Sequence, residues 1–568
     1  IIDAASISAA LNNGNDVTIT TTSGGVTEAG FMSVSNATIL KNVNNNDVTL
    51  TLNAHQGIYI ENSSITSSEN ALNVVLNGDM DGSGQGDIVI ISATIDTNGG
   101  YFVAGGGSGA LGGTNGILGD GDGTGADDGY AYSHNAISGN TYGVGMAATS
   151  ITTNGGDVFI NGYGDEASNS FGVILQDDAH ITSGDGKIQI NAVSTGDGST
   201  HAFALADFGS GSATLTTDGG DITINATANA GYGITLYETT SITTTDGNIN
   251  LTGSASVLAD IYATGPSPSH TISSTNGNVT LRVNDGDILA IDSIYAGDTL
   301  NIYTNTPSLT IGVGDNGTGG ITLLQSVWDI FDAGNKIVIG EDGVQTGDMD
   351  IDTLDLSGTT YDVEFYANDI DMGGIEMGEG SILAHAQDNG GDKGVIVIDG
   401  DITRNANGNA TLDLRADERI HSSTGFNITA NDANSDGDNN AATDADKLRV
   451  IFNADRDSDQ VGNIAIYATS TITTNGGDFI AGGGSGNIGG ANGILGDGDG
   501  TGADDNYAYT TGSGRALYLK DTQITTSGGD AILNGYANGA GTSRAILISQ
   551  SGISTEEGRI ILTGTATG

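Results

Sequence analysis

One phrase recurs along this chain, and a unit of about thirty residues cannot bury a core unless its copies stack. The phrase is an aliphatic residue, two Thr- or Ser-like residues, a Gly-rich turn and then alternating apolar residues. It reads ITTNGGDVFING from Ile151, ITSGDGKIQINA from Ile181, LTTDGGDITINA from Leu215, ITTTDGNINLTG from Ile242 and ISSTNGNVTLRV from Ile272. It returns as ITTNGGDFIAGG from Ile472, ITTSGGDAILNG from Ile524 and ISTEEGRIILTG from Ile553. Each unit reads as three short strands. In the unit from Leu215 these are LTT, DITINA and GITLY, and alternation puts Ile222 and Ile224 on one face with Thr223 and Asn225 on the other. Stacked units give parallel ladders and a continuous core. The fold class expected is all-β: a right-handed parallel β-helix, or β-solenoid, with glycine-rich loop insertions and one short helix.

A longer repeat overlies the short one. Residues 95–132 and 472–509 are identical at 31 of 38 positions. VTLTLNAHQGIYI from Val48 answers ATLDLRADERIHS from Ala410. Three segments follow: 1–265 as the first part of a tandem module, 266–400 as an irregular solenoid segment, and 401–568 as a second module repeating about 39–190. The helical patch is LLQSVWDIFDAG, 323–334, which carries the only tryptophan, Trp328, and stops at Gly334. Trp328 is expected to anchor that helix on the solenoid.

Composition narrows the partners. With 15 Lys+Arg against 70 Asp+Glu the formal net charge is −55, which excludes nucleic acid and an anionic membrane surface. There is no cysteine for a disulfide, thiolate site or nucleophile. Only 3 prolines interrupt the strands, as a fully paired ladder requires. No run of 18 apolar residues is present, so no membrane insertion is expected. The chain opens on Ile1 and shows no secretory signal, which reads as a processed or excerpted piece of something longer.

IIDAASISAALNNGNDVTITT at the start resembles units of filamentous-haemagglutinin-like giant bacterial adhesins. NATLDLRADERIHSSTGFNIT from Asn409, LRVIFNADRDSDQVGNIAI from Leu448 and ITLLQSVWDIFDAGNKIVIG from Ile321 resemble further segments of the same group. The resemblance implies export, a long right-handed β-helix and adhesive or scaffolding duty, with no catalytic residues to transfer. It places the chain outside the cell or on its surface.

The strongest chemical signal is acidic. LGDGDGTGADD occurs from Leu118 and again from Leu495. Counting from the first Asp, oxygen-bearing side chains fall at positions 1, 3, 5 and 9: Asp120, Asp122, Thr124 and Asp128, then Asp497, Asp499, Thr501 and Asp505. The same template gives Asp79, Asp81, Ser83 and Asp87, and Asp455, Asp457, Asp459 and Asn463. A fifth loop gives Asp432, Asn434, Asp436 and Asp438. Ca²⁺ takes six to eight oxygens, and alternate acidic residues on a turning loop bring carboxylates inward. No bidentate Glu closes these loops, so carbonyls, water or a neighbouring coil must complete each shell. An affinity of roughly 10⁻⁴–10⁻³ M is expected. The bland alternative is that Asp and Gly are simply good turn residues.

Catalysis is not expected. His55, His134, His180, His201, His270, His385 and His421 are scattered, without HExxH. A lyase needs basic residues beside acids, and a hydrolase needs two carboxylates across a groove. A glycan-binding or polysaccharide-degrading β-helix remains an alternative. A third is an ice-binding array built on the Thr-Thr pairs, although β-branched Thr suits any exposed strand. The reading favoured is a structural or adhesive extracellular fibre segment stabilised by calcium. Its expected partners are copies of itself, stacked end to end, or further tandem modules, with a surface glycan or protein receptor beyond. Twenty or so coils at about 4.8 Å would make a rod of roughly 100 Å.

Overall fold

The structure is a computed structural model and describes residues 2–21, 30–43, 46–107, 129–133, 141–165, 170–196, 200–206, 208, 211–284, 286–287, 291–388, 394–431, 446–485, 507–511, 513–539 and 541–567. The chain is a parallel β-helix, as its repeat requires. It forms two compact units, one of residues 1–300 with 330–332, the other of 301–329 with 333–568.

In the first unit each coil contributes a strand to each of three walls. The first wall runs from Val17–Thr20 through Val48–Asn53, Leu72–Asn77, Phe102–Gly105, Val158–Gly164, Ile188–Ser194, Ile222–Ala228 and Ile249–Ala255 to Val279–Arg282. The second includes Gly57–Glu61, Asp87–Ile91, Thr141–Ala147, Ser170–Gln176 and His201–Ala206. The third includes Thr38–Lys41, Ser64–Ser67, Thr94–Asp96, Ser150–Thr152 and His180–Thr182. Every one of these pairings is parallel, and aliphatic residues stack in columns facing the core. Ile151 lies over Ile181, which lies over Leu215 and then Ile242. The second unit repeats the plan, with Asp362–Ala367, Ile382–Ala386, Ala410–Ala416, Leu448–Ala454, Phe479–Gly483, Ala531–Asn538 and Ile560–Thr567 in its first wall.

The corners explain the repeated phrase. At these corners a threonine before the turn points inward, and its hydroxyl donates to the carbonyl of the residue three further on, as from Thr97 to Gly100, Thr153 to Gly156, Thr217 to Gly220, Thr474 to Gly477 and Thr526 to Gly529. These threonines are buried. The second glycine of each turn rests on the glycine of the coil before. A Cβ on Gly186 would lie 2.1 Å from the Gly156 carbonyl oxygen, and one on Gly220 would lie 1.9 Å from that of Gly186. No other residue fits that column.

Among the described residues there are two helices, against the expectation of one. α1, Ala4–Asn12, starts at Asp3, whose carboxylate accepts the Ala5 amide at 3.3 Å. Ile7 and Leu11, one helical turn apart, are buried against the strands Val17–Thr20, Thr38–Lys41 and Val48–Asn53. α2 is only Gln325–Trp328, not 323–334. Ile321–Leu323 and Phe331–Ala333 are strands instead, because pairing such as Ile311 with Ile321 claims the flanking apolar residues. Trp328 is buried edge-on to Phe365 at 6.4 Å, in the anchoring role expected.

Candidate metal centre

Of the five predicted loops, two fall within the described residues. Asp120, Asp122, Thr124, Asp128, Asp432, Asn434, Asp436, Asp438, Asp497, Asp499, Thr501 and Asp505 lie outside them.

The two described loops share much of their backbone course, although Asp455 itself is left-handed (φ 64°) and Asp79 is not. Each leaves the first wall after Leu72–Asn77 or Leu448–Ala454. Left-handed residues then follow at matching places, Gly82 (φ 61°) with Ser458 (φ 63°) and Gly84 (φ 72°) with Gln460 (φ 71°). The Asp79 carbonyl accepts the Gly107 amide at 2.8 Å, and the Asp455 carbonyl accepts that of Gly484 at 2.9 Å. Antiparallel bridges from Gly86 to Tyr132 and from Gly462 to Tyr509 close the two loops alike.

The side chains differ. In the first loop the fully buried Asp79 accepts the Ser83 amide and hydroxyl, both at 3.0 Å, and the Gly84 amide at 2.8 Å. Burial raises its pKa, and these bonds together oppose the rise. In the second loop Asp455, Asp457 and Asp459 each offer a carboxylate oxygen within 4.8 Å of the others. Asp455 is 1% exposed and accepts the Gln460 amide at 2.9 Å and the Val461 amide at 3.3 Å. Burial first, and then the Asp457 and Asp459 charges, push its pKa up to about 8. Burial and Asp459 push Asp457 to about 6. Like charges this close resist ionising together, so the triad favours a proton or a cation. Carboxylate oxygens are the ligand type that a hard cation such as Ca²⁺ takes.

Position 9 does not join either loop. Asp87 and Asn463 each open the next strand, Asp87–Ile91 and Asn463–Ile466. The Asp87 carboxylate lies over Gly57 of the coil before, where burial raises its pKa to about 7. Among the described residues no other His, Cys, Asp or Glu group converges as the Asp455 triad does.

A feature without a spacing signature lies on the second unit. An open cleft of about 520 Å³ is lined by Asp348, Asp350, Asp369 and Asp371 with Thr310 and Thr318. Asp350 accepts the Thr318 amide at 2.8 Å and its hydroxyl at 2.6 Å. Asp371, in register with Asp350, has an oxygen without a hydrogen bond, and its pKa rises to about 6 through burial and then Asp399, Asp350 and Asp352. No motif marks these four acids, because only the stacking of coils about twenty residues apart brings them together.

Four histidines are spent on the fold. His55, His180, His201 and His270 each pair a ring nitrogen with a threonine hydroxyl of an adjacent coil, Thr21, Thr214, Thr235 and Thr240, at 2.7–3.1 Å. No helix among the described residues is long and apolar enough to cross a membrane. The chain matches no known protein-family model and no curated protein.

Proposed function

We propose that the chain is a structural or adhesive segment of an extracellular surface fibre, stiffened by calcium at its acidic loops. The observation that carries this reading is the set of long parallel ladders in each unit, which turns inward side chains to core, corner and coil-to-coil contacts. The resemblance to giant surface adhesins supports the same duty and the same location. Asp455, Asp457 and Asp459 are the residues proposed to hold Ca²⁺, with Asp79, Asp81 and Ser83 a weaker second loop. Immuno-electron microscopy of producing cells tests the role: label along surface fibres or the outer envelope is expected, and label confined to the cell interior overturns it.

The cleft at Asp350 and Asp371 favours a second reading, glycan binding or hydrolysis. Two carboxyls held in different environments are what an acid and its partner base need. Glycan-array binding or reducing-sugar release lost in Asp371→Asn supports it, and neither signal in the unaltered protein removes it.

A further inference from the structure

One wall of the second unit carries charge of both signs on its outward face, sorted along the stack. Its strands Met349–Ile351, Ile370–Met372, Val395–Ile398, Arg419–Ser422, Asn463–Ile466 and Arg515–Lys520 pair in parallel, each with the next. One column of partners reads Asp350, Asp371, Val397, His421, Ala465 and Tyr518. Two residues earlier on each coil stand Asp348, Asp369, Val395, Arg419 and Asn463, and three before Tyr518 stands Arg515. Alternation turns both columns away from the core, where Ile370, Ile396 and Ile420 are fully buried.

The two ends of this wall differ in sign and shape. At one end Asp348, Asp350, Asp369 and Asp371 line the open cleft. At the other, the strands Val395–Ile398, Arg419–Ser422, Asn463–Ile466 and Arg515–Lys520 contain no Asp or Glu. Arg419, Arg515 and Lys520 are exposed there, and none of the three is ion-paired with a described residue. The Arg515 guanidinium stands 4.2 Å over the Tyr518 ring, which in turn lies 5.5 Å from Tyr467. Asp369 and Arg419 are two coils apart, about 10 Å, so the acidic and basic ends stay separate within one chain. Copies of a chain with a net charge of −55 repel one another, and lateral contact between them needs opposite charges gathered on both partners. A lone anion would meet the basic end and leave the acidic cleft unmatched. A second copy turned end for end matches both.

We propose that this wall is a self-complementary interface, along which two copies of this chain pair side by side in opposite directions. The two-fold axis lies along the strand Val395–Ile398, as an isologous contact requires. Arg419 of each copy then faces Asp369 of the other, and His421 faces Asp371. Arg515 and Lys520 reach the far side of the other copy's cleft, at Thr310 and Thr318. This gives the cleft an occupant other than a glycan. It goes beyond the fibre reading and fails separately from it: a chain that stays monomeric loses the interface and remains a structural coil.

Sedimentation velocity of the full chain over a concentration series, in about 0.15 M salt, tests this. The unaltered protein is expected to pass from monomer to dimer as its concentration rises. Arg419→Glu with Arg515→Glu is expected to raise the dimer dissociation constant at least tenfold, and Asp369→Lys with Asp371→Lys to do the same. A one-to-one mixture of these two altered proteins is expected to restore the dimer, because each then meets opposite charge at both contacts. Circular dichroism checks that each variant keeps its β-signal. Should the double lysine variant not fold, Asp371→Lys alone sets a cation beside Arg419 of the other copy, and the same weakening and the same rescue are expected. An unaltered protein that is monomeric at every concentration overturns the proposal. So does a dimer indifferent to the charge reversals, or a mixture no better associated than either variant alone.

Discussion

At Gly186 and Asp157 two adjacent coils meet, and their roles show how this chain uses glycine and acid. The glycine lets the coils touch, and the carboxylate ties them: Asp157 Oδ1 accepts the Lys187 amide at 3.0 Å. The same tie recurs from Asp221 to Asn248, Asp401 to Asn427, Asp478 to Asp530 and Asp530 to Arg559, at 2.7–2.8 Å. Part of the −55 charge is therefore a row of acceptors for strand-opening amides. Gly186→Ala forces the Gly156 carbonyl aside and is expected to destabilise the fold by about 1–3 kcal/mol in urea unfolding. Asp157→Ala is expected to cost about 1–2 kcal/mol, whereas Asp157→Asn keeps an acceptor oxygen and stays within about 0.5 kcal/mol. His201 carries a pH dependence. It is stacked between Phe171 at 4.9 Å and Tyr232 at 5.2 Å, and burial lowers its pKa to about 4. The unfolded chain then binds the proton more readily between pH 6.5 and 4, so the contribution is complete above pH 6.5 and is lost as pH falls through 4. His201→Phe is expected to flatten the fall in Tm between pH 7 and 4.5, and an unchanged slope would count against the stack. These roles were only half legible in the sequence. The acidic, glycine-rich loops read as calcium ligands or as turns, and their use as ties was missed because the amide that each carboxylate accepts lies about thirty residues away.

Among the elements, the strands were the most legible and the helices the least. Period-two alternation marks a strand wherever one face is buried, and Ile222 and Ile224 fall inside as expected. α1 had its own signals, Asp3 as N-cap and Ile7 with Leu11 at helical spacing, but nine residues beside a β-repeat are easily read as one more coil. α2 shrank to Gln325–Trp328 because an apolar run does not say whether strand pairing or helical packing will claim it. Leu11→Ala empties a site at the core's end and is expected to cost about 2–5 kcal/mol, measured by thermal or urea unfolding. The acid loops were legible in part. Positions 1, 3 and 5 of the Asp455 loop converge as their spacing requires, whereas position 9 is taken by the following strand. In the Asp79 loop, Ser83 stands where the second loop has Asp459, so a weaker site is expected there. Asp459→Asn is expected to weaken calcium binding at least tenfold, and Asp87→Asn to leave it unchanged, as titration calorimetry would show.

For the whole molecule, stacking decides both stability and charge. Each coil rests on its neighbours, so a change in one loop is felt along the ladder it interrupts. Seventy acids against fifteen bases repel one another, and this repulsion is relieved where salt screens it or where a divalent cation is held. The repeat made the solenoid legible. It could not rank five acidic loops of one pattern, since the rank depends on which carboxylates burial brings together. Asp455, Asp457 and Asp459 are the carboxylates proposed to hold calcium at a corner of the coil. The most direct measurement is thermal unfolding of the full chain with millimolar Ca²⁺ and with chelator, beside the double variant Asp457→Asn, Asp459→Asn. A Tm raised by calcium in the unaltered chain, with most of that rise gone in the variant, is the result predicted. A Tm indifferent to calcium, or raised equally in both proteins, would contradict it.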